Sequence, residues 1–202
     1  MFLFLSDMLA IISPSKTQDF SSCDIETYSQ SRQLNHSQEL ASILKNKTQQ
    51  QISKLMSLSE KLSKLNFNRF QSFKTPFSLG NAKQALLAFK GDVYNGIDAP
   101  SLSSQDLEFA QNNVRMLSGL YGVLRPLDLI QPYRLEMGTK LNNKKGSNLY
   151  DFWGANISDV LNEDESDLIV NLASNEYFKA IDQKTLKAKV LDIVYKEKKL
   201  YI

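Results

Sequence analysis

"SSQDLEFAQNNVRMLSGLYGVLR", residues 103–125, carries the reading on which the fold turns. Ser103 or Ser104 stands as an N-cap, and Asp106 and Glu108 fall in the first turn, where the helix dipole favours carboxylates. Leu107, Ala110, Val114, Leu117 and Leu120 then recur at helical spacing. The pattern predicts one helix that carries Arg115 and ends in a hairpin at Gly119 and Gly122, with Arg125 just beyond. A turn of this kind points consecutive backbone N–H groups at a phosphate while the arginines supply charge. The competing reading is that the two glycines terminate a helix and let backbones pack closely. The continuation to residue 138, "PLDLIQPYRLEMG", is too polar for a buried strand and too broken for one helix.

Outward from this stretch, composition sets bounds. With 202 residues, 42% hydrophobic and 23% charged, the chain is expected to form one domain spanning 1–202. The net charge of +2 is unevenly spread: acids crowd 162–167 and lysines crowd 179–199, which leaves a basic face open. Cys23, the single cysteine, forms no internal disulfide, fits a reducing compartment and reads as an incidental small side chain. His36, the only histidine, reads as a solvated residue at a helix start, and neither a metal centre nor a cofactor fingerprint is expected. The N-terminal "MFLFLSDMLAIISPSKTQDF" has no basic residue before Lys16, is interrupted by Asp7 and lacks a cleavage site, so it is not read as a secretory signal. No apolar run is long enough for a bilayer, and the expectation is a cytoplasmic protein without membrane contact.

Residues 9–12 read as a short buried strand stopped by Ser13-Pro14, and 35–65 as two amphipathic helices, the second started by a capping box of Thr48 and Gln51. Phe67, Phe70 and Phe73 form a core-facing stripe, 81–89 a third helix ending near Gly91, and "LYDFWG" at 149–154 the lead-in to another. Residues 168–172 read as a second buried strand, after which Ser174 caps a helix carrying Tyr177. The runs 190–195 and 200–202 are β-rich, the latter a frayed edge or the sign of a chain cut short. Strands and helices thus read as interspersed along one compact domain.

"SPSKT" follows the first buried strand, so Ser13, Ser15, Lys16 and Thr17 should emerge at its carboxyl end, where ligand sites in α/β proteins lie. Ser174 and Asn175 follow the second strand in the same way. If the two strands are parallel neighbours, both loops face one crevice. Lys90, Asp92 and Tyr94 in "FKGDVYNG" and Tyr133, Arg134 and Glu136 in "PYRLEMG" add cations, carboxylates and aromatics. That mixture suits a site holding a phosphate and a base together. The alternative is an ion-pair network that fixes the fold, with Arg134 on Glu136 or Asp92.

The phrases "ISPSKTQDF", "AFKGDVYNGIDA", "RMLSGLYGVLRPLDLIQPYRLEMGTKL", "LYDFWG" and "NLASNEYFKAI" resemble, in order, the signature blocks of the YaaA family, bacterial cytoplasmic proteins linked to resistance to peroxide stress. Members of that family usually begin close to Met8, which makes residues 1–7 an extension or a misassigned start, and they continue some tens of residues past Ile202. The resemblance implies an α+β class, a single mixed α/β domain with a short central sheet, surrounding helices and a helix-hairpin-helix-like segment, that binds DNA through a positive cleft and limits damage from iron and peroxide without an established reaction. On this sequence the DNA contacts, mainly to the phosphate backbone, fall to Lys16, Thr17, Lys90, Arg115, Gly119, Gly122, Arg125 and Arg134. The alternative is a glycosylase-like enzyme on a nucleic acid base or nucleotide. Lys16 or Lys90 would then be nucleophile or clamp, and Asp92 or Glu136 general base.

Overall fold

In the computed structural model, which describes residues 8–193, the chain opens with β1 (Met8–Ile12), a strand with Leu9, Ile11 and Ile12 in the core. After the Ser13-Pro14 stop comes the two-residue β2 (Thr17–Gln18). The next segment holds three helices where two were expected: α1 (Leu34–Lys45), α2 (Gln49–Met56) and α3 (Glu60–Ser72). The capping box of Thr48 and Gln51 is present. The break between α2 and α3 falls at Ser57, whose left-handed backbone ends one helix, while the Ser59 side chain accepts from Leu62 N to start the next. His36 is half-buried rather than solvated, its ring centroid 5.7 Å from that of Trp153 and 6.0 Å from that of Phe152.

The helix expected over 81–89 is a single turn, α4 (Ala85–Ala88), between β3 (Lys83–Gln84) and β4 (Phe89–Lys90). These two short strands pair elsewhere, β2 with β4 and β3 with a later strand, and this external pairing shortens the helix. α5 (Asp92–Ile97) and a 3-10 turn at Ala99–Ser101 lead into α6 (Ser104–Asn113), where Ser103 and Asp106 form a second capping box.

Here the deciding stretch departs from its reading. The helix stops at Asn113, and Val114–Ser118 is a strand, β5, followed by a tight turn and β6 (Gly122–Leu124). Arg115 to Ser118 are all buried, because β5 lies inside the sheet, with β1 parallel on one side and β6 antiparallel on the other. A strand covered on both faces reads as an unbroken apolar run, and the spacing of Val114, Leu117 and Leu120 matched a helix by coincidence. The segment is a β-hairpin, not a helix-hairpin-helix.

β7 (Leu129–Ile130) pairs with β3, and α7 (Leu149–Trp153), α8 (Asn156–Asn162), β8 (Leu168–Asn171), α9 (Asn175–Phe178) and β9 (Lys189–Asp192) complete the order. The main sheet runs β6-β5-β1-β8-β9, with β5, β1, β8 and β9 parallel. β1 and β8 are thus the parallel neighbours that a shared crevice requires. The expected strand over 190–195 is seen in part as β9, which ends at Asp192; residues 194–195 and the run 200–202 lie outside the described residues. Trp153, Phe152, Tyr121, Phe70 and Phe89 fill the core. Single-domain α+β architecture is therefore the observed class, and the mixed sheet sets both loop ends of β1 and β8 at one edge.

Candidate functional site

Over residues 131–141 the chain forms no regular strand, yet its side chains alternate. Tyr133, Leu135, Met137, Thr139 and Leu141 are buried, while Arg134 and Glu136 face outward two residues apart. An extended backbone puts residues i and i+2 on one side, and this alternation brings a guanidinium and a carboxylate together. Arg134 Nη2 donates to Glu136 Oε1 at 3.1 Å, and Lys16 Nζ lies 2.9 Å from Glu136 Oε2. Lys16 is 60% exposed, so one face of this cluster is open to solvent. Burial pushes the Glu136 carboxyl up, but the hydrogen bonds and charges of Lys16 and Arg134 outweigh it and hold its pKa below the ordinary value.

The walls come from the two strand ends. Ser174 N donates to Ser13 Oγ at 2.9 Å, tying the loop after β8 to the loop after β1. Ser174 stands at the N-cap position of α9 but makes no side-chain cap there; its hydroxyl is instead 3.3 Å from that of Ser13. Tyr94 Oη donates to Ser13 O at 2.8 Å and Gly138 N donates to Glu176 Oε1 at 2.8 Å. Tyr133 and Tyr177 close the floor, their phenol pKa values raised by burial. Lys90 is the register partner of Thr17, so both sit on one small ladder beside the crevice, but its ammonium approaches Asp19, at 3.9 Å, rather than Glu136. Asp92 is exposed at the first residue of α5. Of the residues singled out, Lys16, Arg134 and Glu136 share one cluster, with Thr17 and Lys90 adjacent.

The hairpin residues are elsewhere engaged. Arg115, with a side chain 5% exposed, grips Asp164 with Nε to Oδ2 at 2.8 Å and Nη2 to Oδ1 at 2.9 Å. Its Nη1 donates to the carbonyls of Gln111 and Val114, both at 2.8 Å. Arg32 takes the same carboxylate from the other side. Arg125 holds Asp128, a fully buried carboxylate that also accepts from Ser29 Oγ at 2.6 Å and Arg125 N at 2.9 Å. Gly119 is required because a Cβ there would run into the Leu135 carbonyl oxygen, and Gly122 because its φ of +69° is left-handed and Gln33 and Trp153 crowd the same point. Both glycines therefore serve close packing inside the fold, and both arginines are spent on buried carboxylates. Asp164, Asp128 and Arg32, which organise these contacts, were missed in the sequence; Asp164 lay unremarked among the acids of 162–167.

Among the described residues no group of three or more His, Cys, Asp or Glu is placed to hold a metal ion, and no helix is long and apolar enough to cross a membrane. Residues 8–200 match the family described as peroxide stress protein YaaA. A UPF0246 protein of Acaryochloris marina (strain MBIC 11017) is 55% identical over 194 residues, which cover 95% of this chain and 77% of that protein. Given a match across nearly the whole chain, this protein belongs to the YaaA family of peroxide stress proteins.

Proposed function

We propose that this protein acts in the peroxide stress response by binding DNA through backbone phosphates, with the crevice at the ends of β1 and β8 as the contact surface, and so limits iron-dependent oxidative damage. One observation carries the reading: Lys16 and Arg134 converge on a single carboxylate at 2.9 and 3.1 Å. Two cations that share one carboxylate offer donors spaced for the oxygens of one phosphate, and Glu136 occupies the place such an oxygen would take. Thr17 and Lys90 extend the cationic edge on one side. Lys179, 5.4 Å above the Tyr150 ring, extends it on the other, since Tyr150 Oη donates to the carbonyl of Glu176 in the crevice wall. The link to iron is electrostatic: neutralised phosphates release condensed cations, and ferrous iron bound there is displaced with them.

The expected result of a fluorescence anisotropy titration is duplex binding whose log K falls linearly with log salt, with little preference among sequences. No detectable binding at low salt, or strong sequence discrimination, would sink the reading. Borohydride treatment with abasic DNA separates it from lysine-dependent chemistry: an amine nucleophile at Lys16 or Lys90 predicts a trapped covalent complex, and occupancy alone predicts none.

A further inference from the structure

Between β2 and α1 the chain makes a strap without regular secondary structure over residues 19–28, and beneath it lies a cavity of about 340 Å³. This cavity shares no lining residue with the Lys16–Glu136 cluster. Phe20, Leu79 and Pro132 give it apolar walls, and Lys83, Ser22 and Cys23 give it polar ones. Among the described residues that line it there is no Asp or Glu. Lys83 is only 8% exposed, unusual for a lysine, and its Nζ donates to Ser21 O at 2.8 Å. An ammonium has three N–H donors, and a buried cation is costly unless they are satisfied. Lys83 also lines an adjoining cavity of about 300 Å³ with Asp19 and Asp24; Asp19 interacts with its charge from there and accepts from Ser21 N at 2.9 Å. Gln84, in the same wall as Lys83, pins the strap by donating Nε2 to the carbonyls of Ile25 and Thr27, and its Oε1 has no partner among the described residues.

We infer that this cavity is a second binding site, for a small organic anion with an apolar body, whose carboxylate or phosphate end is held by the Lys83 ammonium. The volume lies within the range of small-molecule pockets, and the lining combines apolar walls with one buried cation, the usual composition of such sites. Apolar contact with Phe20, Leu79 and Pro132 orients the body, and the strap encloses it. Nothing in this site depends on DNA binding at the crevice.

Cys23, exposed and in the cavity wall, reports occupancy directly. Alkylation of Cys23 by iodoacetamide is followed by mass spectrometry in the presence of millimolar benzoate or benzamide, two probes of equal shape and different charge. Benzoate is expected to slow alkylation roughly threefold, and benzamide to leave it unchanged. A folded Lys83→Gln protein is expected to lose the benzoate effect. Equal protection by both probes, no protection by either, or persistence of the benzoate effect in folded Lys83→Gln would each overturn the site; the wild-type arms decide it even where the variant fails to fold.

Discussion

Replacing Asp164 with alanine is expected to cost about 3–5 kcal/mol of folding stability, because it strips the buried Arg115 guanidinium of its ion-pair partner and leaves Arg32 only the exposed Glu163, 3.5 Å away. Arg115 is buried, and both it and Arg32 approach Asp164 in paired, two-point fashion. The three side chains join α8's far end to the start of β5 and to the residue pair before α1, so their loss loosens the inner strand of the sheet. Urea denaturation checks this through a lower midpoint at unchanged slope. A loss below about 1 kcal/mol would show the network to be incidental. The pH dependence has a defined sign. Burial pushes the Asp164 carboxyl up, yet the hydrogen bonds of Arg115 and Arg32 prevail and its folded pKa lies below the ordinary value. A depressed folded pKa means that the stabilisation is fully present above the unfolded value near 4, and is lost as pH falls through the folded value. The acid branch of the stability curve should therefore flatten in Asp164→Ala.

Arg125→Ala is expected to destabilise by about 2–3 kcal/mol, by stripping side-chain donors from a carboxylate with no exposure to water. Asp128 retains Ser29 Oγ and the backbone N of residue 125, which keeps the loss below that of Asp164→Ala. DNA affinity and its salt dependence should be unchanged in the folded variant, because the guanidinium faces Asp128 and the carbonyl of Gln30 rather than the crevice. A stable Arg125→Ala protein with a flatter salt slope would return the hairpin to the binding surface.

How much of this was legible follows from the range of each interaction. The capping box of Thr48 with Gln51, and the N-cap at Ser103 or Ser104 with Asp106 in the first turn, were readable because such signals close within four residues. The strands at Leu9–Ile12 and 168–171 were readable because stop signals bound them and neither run is long enough for a helix. Their parallel pairing, anticipated as a condition for a crevice, places Ser13 against Ser174 across 161 positions of sequence. What failed was also long-range. Nothing local to Arg115 announces Asp164, which arrives from 49 residues away, so a buried arginine looked like a surface one. Nor does Val114 announce that β1 and β6 will flank it and turn a helical spacing into a strand. Lys83 was absorbed into an expected helix, although pairing of β3 with β7 is what buries it.

The most direct test of the crevice as the DNA surface is a salt-titrated anisotropy measurement on Lys16→Ala, Arg134→Ala and their double variant, each with a melting curve. The account predicts folded proteins in which each removed cation flattens the salt slope by roughly one unit, and the pair by roughly two, uniformly across duplex sequences. A folded double variant with wild-type affinity and wild-type slope would contradict it.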